Sequence, residues 1–146
     1  MKRQKIRMNT AAKLKVCDKL LGVSLVLILV SGIQLEATGG SESTGWIHLG
    51  LGLILTALSV WHIYLHYRFT NWFSRFVRNS NTSTRILWWL FILTVLSGVV
   101  ASVHWIASAY IHSTVGGVHG KIGFLMALAA IVHVGRHRRK CAGAWR

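Results

Sequence analysis

The chain has 146 residues and a mass of 16.3 kDa, and it sets 17 Lys and Arg against 3 Asp and Glu, a formal net charge of +14. Its mean hydropathy is nonetheless +0.48 with 53% hydrophobic residues, which excludes a soluble basic protein such as a nucleic-acid binder, whose charge would be spread between short apolar stretches. Only 14% of the residues are charged and proline is absent, a composition that suits uninterrupted apolar helices with the bilayer as solvent.

The chain opens on a basic segment, residues 1–19, that carries Lys2, Arg3, Lys5, Arg7, Lys13, Lys15 and Lys19. Cations ahead of an apolar run are also the mark of a signal peptide. Here, however, the run from Leu20 to Leu35 approaches the length of a membrane span, and no small-residue cleavage site precedes Glu36, so it is expected to be a retained first helix that extends a turn at either end. A Gly/Ser-rich connection from Thr38 to Gly45 leads to a second span, Trp46 to Tyr67. An arginine-bearing connection, Arg68 to Arg85, precedes a third span, Ile86 to Ala107; a short polar connection, Ser108 to Thr114, precedes a fourth, Val115 to Val134. The predicted fold is all-α, a four-helix transmembrane bundle over residues 20–135, followed by a basic tail over 136–146.

Lys and Arg accumulate on the cytoplasmic side of a bilayer. Seven precede the first span, four lie between the second and third, and five follow the fourth, whereas the opposite side has Glu36, Glu42 and only Lys121. Both termini are therefore expected in the cytoplasm of a bacterial or archaeal cell, with the chain in its inner membrane. The charge is accounted for by a solvated face attracted to anionic lipid headgroups, with no nucleic-acid partner. Cys17 and Cys141 belong to no paired-cysteine motif, and no Cys-x-x-Cys-His is present, so neither a disulfide framework nor covalent haem attachment is available.

The spans repeat. At an offset of 71 residues, Gly45 falls on Gly116, His48 on His119, Gly52 on Gly123, His62 on His133, His66 on His137 and Arg68 on Arg139. The first and third spans match at an offset of 66, where Leu27 meets Leu93 and Ser31-Gly32 meets Ser97-Gly98. The chain is thus two copies of a two-helix hairpin, and the unequal offsets place a length change in the connections. The second and fourth helices then run in the same direction, so that His48 is expected at the depth of His119 and His62 at that of His133. The 14 residues between the two histidines of one helix amount to about 21 Å of rise and return to nearly the same face.

An imidazole within the hydrocarbon region is costly without a partner, and so marks a functional site. Histidines paired from two parallel helices suit six-coordinate haem iron, one ring nitrogen binding from each axial side. Zinc suits the pattern poorly, since it takes four clustered ligands. The expected iron ligands are His48 with His119 and His62 with His133. Gly32, Gly52, Gly98 and Gly123 are the small residues expected to let backbone approach the porphyrin, or else to form ordinary contacts between membrane helices. His66 and His137 follow the His62 and His133 positions by four residues and are the competing choice of ligand; otherwise they, with Arg68 and Arg139, are expected to meet haem propionates or to lie at the interface. His104 and His112 have no repeat partners; they are expected at the outer edge, as polar loop residues or as groups serving a quinol or redox partner.

With its Ser-Gly pairs in helices one and three, its Gly-x-x-His-x-x-x-Gly stretches (Gly45, His48, Gly52; Gly116, His119, Gly123) and its later histidines after Val60 and Val132, the chain resembles the flavinylation-associated cytochrome family of four-helix di-haem membrane cytochromes b. The likeness covers about Leu20 to Arg139, and it departs at His66, where family members often have a non-ligating polar residue such as Asn. The spacing of two histidines per helix is also similar to that of cytochrome b in quinol-oxidising bc complexes. The resemblance implies two b haems and electron transfer between a quinone pool or cytoplasmic donor and an extracytoplasmic flavoprotein or other redox subunit on a separate chain. Quinone or quinol would be the only substrate. The alternatives are a non-catalytic haem-containing anchor and a haem-free helical transporter.

Overall fold

The structure is a computed structural model. It describes the backbone of residues 2–67, 81–108 and 114–143, and side chains over 12–66, 81–108 and 114–136. The described residues form four helices, α1 (Lys2–Ala37), α2 (Glu42–Tyr67), α3 (Thr82–Ala107) and α4 (Thr114–Gly143). They fall into two compact units, Met1–Arg75 with α1 and α2, and Phe76–Arg146 with α3 and α4. Each unit corresponds to one copy of the duplication seen in the sequence.

The helices are longer than the apolar runs. The first was expected to extend one turn beyond Leu20, yet it starts at Lys2. No Gly or Pro occurs before Gly22, and Lys, Arg, Gln, Met and Ala all favour helix, so nothing in the basic segment stops the hydrogen-bond ladder. The fourth likewise runs past Val134 to Gly143, where cations near its C-terminal end complement the helix dipole. Polarity sets where a helix leaves the lipid; it does not end the helix.

The turn joining α1 to α2 is set by glycine. Gly39 and Gly40 have φ of 64° and 86°, a region in which L side chains are strained. The Gly40 N–H donates to the Leu35 carbonyl (2.9 Å) and the Gly39 N–H to Glu36 (3.3 Å), the paired bonds of a Schellman motif that satisfy the last carbonyls of α1. Ser41 follows at once as the start of α2. Its hydroxyl lies 2.7 Å from that of Thr44, and its carbonyl accepts the Gly45 N–H at 2.9 Å. Glu42 stands in the first turn, where the helix dipole favours an anion. The connection is therefore shorter than the expected Thr38 to Gly45, because Glu42 to Gly45 already form a turn of helix.

Within each unit the two helices run antiparallel. In the first, Ser31 meets His48 while Asp18, far earlier on α1, meets His62, later on α2. Among the described residues of α1, the buried ones are Cys17, Ser24 and Ser31, seven apart. That interval keeps a narrow stripe of small side chains against α2 at the 3.5-residue period of supercoiled helices. Small residues serve here because close van der Waals contact holds helices together in lipid, where tails compete for every apolar surface. Among the described residues of α4, the buried apolar ones are Met126 and Ala127.

Each helix presents large apolar side chains outward. Val23, Val26, Val30 and Ile33 on α1, Leu53 and Ile54 on α2, Leu96, Val99 and Val103 on α3, and Phe124, Leu125 and Ile131 on α4 are all exposed. Stretches of 26, 25, 26 and 23 residues in the four helices are long and apolar enough to cross a membrane, whose core takes about 20 helical residues. These properties are those of a multi-pass membrane protein whose helices contact lipid.

Candidate functional site

The histidines are positioned within their own hairpins by the helix they pack against. His48 stands one turn into α2 beyond Gly45, and the antiparallel register brings Ser31 and Gly32 of α1 beside it. Ser31 Oγ lies 2.9 Å from His48 Nδ1 and donates to the Ile28 carbonyl at 3.0 Å. In the second hairpin Ser97 Oγ lies 3.0 Å from His119 Nδ1 and donates to the Thr94 carbonyl at 3.1 Å. The offset of 66 carries Ser31 to Ser97 and Ile28 to Thr94, and the offset of 71 carries His48 to His119. One contact thus recurs residue for residue.

Each serine hydroxyl lies within hydrogen-bond distance of both the carbonyl one turn back and the ring Nδ1; with its single proton on the carbonyl, its oxygen accepts from an Nδ1–H. A neutral imidazole with hydrogen on Nδ1 has its lone pair on Nε2, the form in which histidine ligates a metal, and a hydrogen bond at the other nitrogen fixes its orientation. The donor chemistry of His48 and His119 therefore fits axial ligation of haem iron.

The glycines divide into two kinds. A Cβ on Gly32 would stand 3.3 Å from His48 Cε1, and one on Gly98 would stand 3.0 Å from His119 Cε1. These two glycines make the room in which the rings lie, and the second recess is the tighter. A Cβ on Gly52 would meet Ile28 Cδ1 at 3.9 Å and one on Gly123 would meet Thr94 Cγ2 at 3.9 Å, an ordinary contact in both cases. Gly52 and Gly123 face the neighbouring helix of their own hairpin.

At the far end of the first hairpin, Cys17 Sγ donates to the Leu58 carbonyl at 3.7 Å, and His62 Nδ1 lies 3.0 Å from Asp18 Oδ1. The His62 side chain is 29% exposed and that of Asp18 59%. His66 stacks beside His62 with ring centroids 4.6 Å apart and planes tilted by 60°. His133, half-buried, holds the equivalent place on α4.

Asp18 was not among the residues singled out from sequence, although a signal for it exists. His62 lies 14 residues after His48, so an antiparallel register with Ser31 opposite His48 points to the position 14 before Ser31, which is Cys17, with Asp18 adjoining. In sequence the serines read only as small residues; in the structure their hydroxyls lie against the imidazoles. Arg68 and His112 lie outside the described residues, as do the side chains of His137 and Arg139. Lys121 and Glu36 are exposed, and His104 Nδ1 lies 3.3 Å from Ser108 Oγ at the end of α3. Among the described residues, no three His, Cys, Asp or Glu side chains converge.

No protein-family model, no curated protein and no solved structure matches this chain.

Proposed function

We propose that this chain is an electron-transfer cytochrome b of the membrane that carries two b haems, one held by His48 and His119 and the other by His62 and His133. Electrons would pass between a quinone pool or cytoplasmic donor and an extracytoplasmic redox partner, a flavoprotein or other carrier on a separate chain. The observation that carries this reading is the Ser-Gly-His recess, which occurs in both hairpins and puts a serine hydroxyl at each imidazole Nδ1. A serine that served only as a link between helices would not need a glycine beside it to admit the ring. The match of the histidines at one offset supports the pairing of helices two and four, and the resemblance to flavinylation-associated cytochromes supports the partner.

A bound haem supplies one-electron exchange at iron. The chain's own residues do the rest. Ser31 and Ser97 hold the ring nitrogens, Gly32 and Gly98 leave room for the rings, and the apolar helices exclude water. Arg68, Arg139, His66 and His137 are the candidates for meeting propionates. The cation-rich segments, including both termini, would lie in the cytoplasm by the positive-inside rule, which puts His48 and His119 toward the outside of a bacterial or archaeal inner membrane.

The test is the haem-to-protein ratio of the chain purified from membranes. Two haems per chain are expected, falling to one in His48→Ala and to one in His62→Ala. A chain without the sharp visible bands of reduced bis-imidazole haem would overturn the reading in favour of a haem-free transporter. Haems that stay oxidised with quinol and with every co-encoded redox subunit would point to a non-catalytic anchor.

A further inference from the structure

The equivalent ends of α2 and α4 carry opposite charge. α2 has Glu42 in its first turn and Gly50 two turns further on. The offset of 71 carries Glu42 to Ser113 and Gly50 to Lys121, and the first turn of α4 holds no acidic residue. Lys121 is exposed inside the membrane-crossing stretch Thr114–Arg136, and its neighbours on that face are the exposed Val118, Phe124 and Leu125. No other Lys or Arg occurs between Leu20 and Tyr67 or between Ile86 and Gly135. On the side of Lys121 toward the start of α4, a Cβ on Gly117 or Gly120 would meet no atom within 4 Å, so the helix surface there is uncovered.

We propose that Lys121 binds the phosphate of an anionic phospholipid. An ammonium is costly within hydrocarbon and is tolerated where its tip reaches polar groups while its stem covers apolar surface. Side chains on a helix lean toward its N-terminus, so the stem of Lys121 runs over the uncovered surface toward the near end of α4, which lies about 10 Å away along the axis. The N–H groups of that first turn add partial positive charge. In α2 the anion at this end is the chain's own Glu42; in α4 Ser113 takes its place, so the anion comes from outside the hairpin. A phospholipid of net negative charge complements both the ammonium and the helix end, whereas a zwitterionic one brings a cation of its own. Val118 and Leu125, either side of Lys121 on one face, lie along the acyl chains of the same lipid. This inference is independent of the haem reading above.

Fluorescence quenching of the full chain in vesicles tests the proposal. Cys141→Ser leaves Cys17, which is fully buried, so a fluorophore reacts at one introduced cysteine. Val118→Cys reports on the surface beside Lys121. Ile47→Cys, its exposed counterpart at the offset of 71, reports on the equivalent place of α2, where no lysine stands. The vesicles hold acyl-brominated phosphatidylglycerol or, at the same mole fraction, acyl-brominated phosphatidylcholine. At position 118 the anionic lipid should quench more than the zwitterionic one, and at position 47 the two should quench alike. Lys121→Gln should abolish the excess at 118, and Lys121→Arg should retain it. The proposal is overturned if 118 shows no excess, or if 118 and 47 show the same excess, as a general attraction of anionic lipid to a chain of net charge +14 would give. It is also overturned if the excess survives Lys121→Gln or is lost in Lys121→Arg.

Discussion

The two hairpins agree at the end where Ser31 meets His48 and Ser97 meets His119, and they part at the other. Near those contacts each has a Ser-Gly pair facing a histidine, with hydrogen-bond lengths equal to within 0.1 Å. At the far end the first hairpin has Cys17 against Leu58 and Asp18 against His62, while the equivalent positions of the second are Ser83 and Thr84. A duplicated pair of helices keeps its register wherever a hydrogen bond and a missing side chain must coincide. It diverges where a single polar contact suffices.

The sharpest way to break this comparison is to overfill one buried position and its counterpart. Cys17 is fully buried, so Cys17→Leu should destabilise the first hairpin by about 1–3 kcal/mol. Ser83→Leu, at a half-exposed site near the start of α3, should stay within about 0.5 kcal/mol. Thermal unfolding in detergent reads both, and equal losses would contradict the difference in burial.

Next in size are the glycines beside the rings. Gly98→Ala places a methyl 3.0 Å from His119 and Gly32→Ala one 3.3 Å from His48. The first should displace its ring and lower haem content markedly, the second should do so less, and a reversed order would show that the rings yield more readily than their surroundings. Gly39→Ala acts on the first hairpin's turn alone, where a φ of 64° costs an L residue about 1–2 kcal/mol. It should lower the melting temperature without changing the haem ratio.

The smallest effect should be the most symmetrical. Ser31→Ala and Ser97→Ala each remove one hydrogen bond between membrane helices, worth about 0.6 kcal/mol on average. The two losses should match, and both variants should bind haem with a looser, more easily exchanged ligand. A loss confined to one of them would mean that the repeated geometry does not carry repeated energy.

Much of this is legible in the sequence. Four apolar runs, the hairpin repeat and its two offsets follow from residue identity and spacing, and so does the choice of histidines, because composition at fixed intervals reports which positions are equivalent. Helix ends are less legible for a definite reason: hydropathy marks the edge of the lipid, while a helix continues until glycine, capping or a solvated turn stops it. Hence α1 runs back to Lys2 and α2 begins at Glu42. Gly52 and Gly123 were grouped with Gly32 and Gly98 by residue type, and only the packing separates a glycine against an aliphatic side chain from one against a ring.

The sequence alone determined that the chain is helical, apolar enough for a bilayer and internally duplicated, since these depend on local propensity and on periodicities carried by each segment. Tertiary structure decided which atoms meet: the serine hydroxyls on the ring nitrogens, the glycines that admit the rings, and Asp18 on His62. Those contacts join residues 16 to 44 positions apart. They arise from the antiparallel register of each hairpin, a property of two helices together that neither one contains.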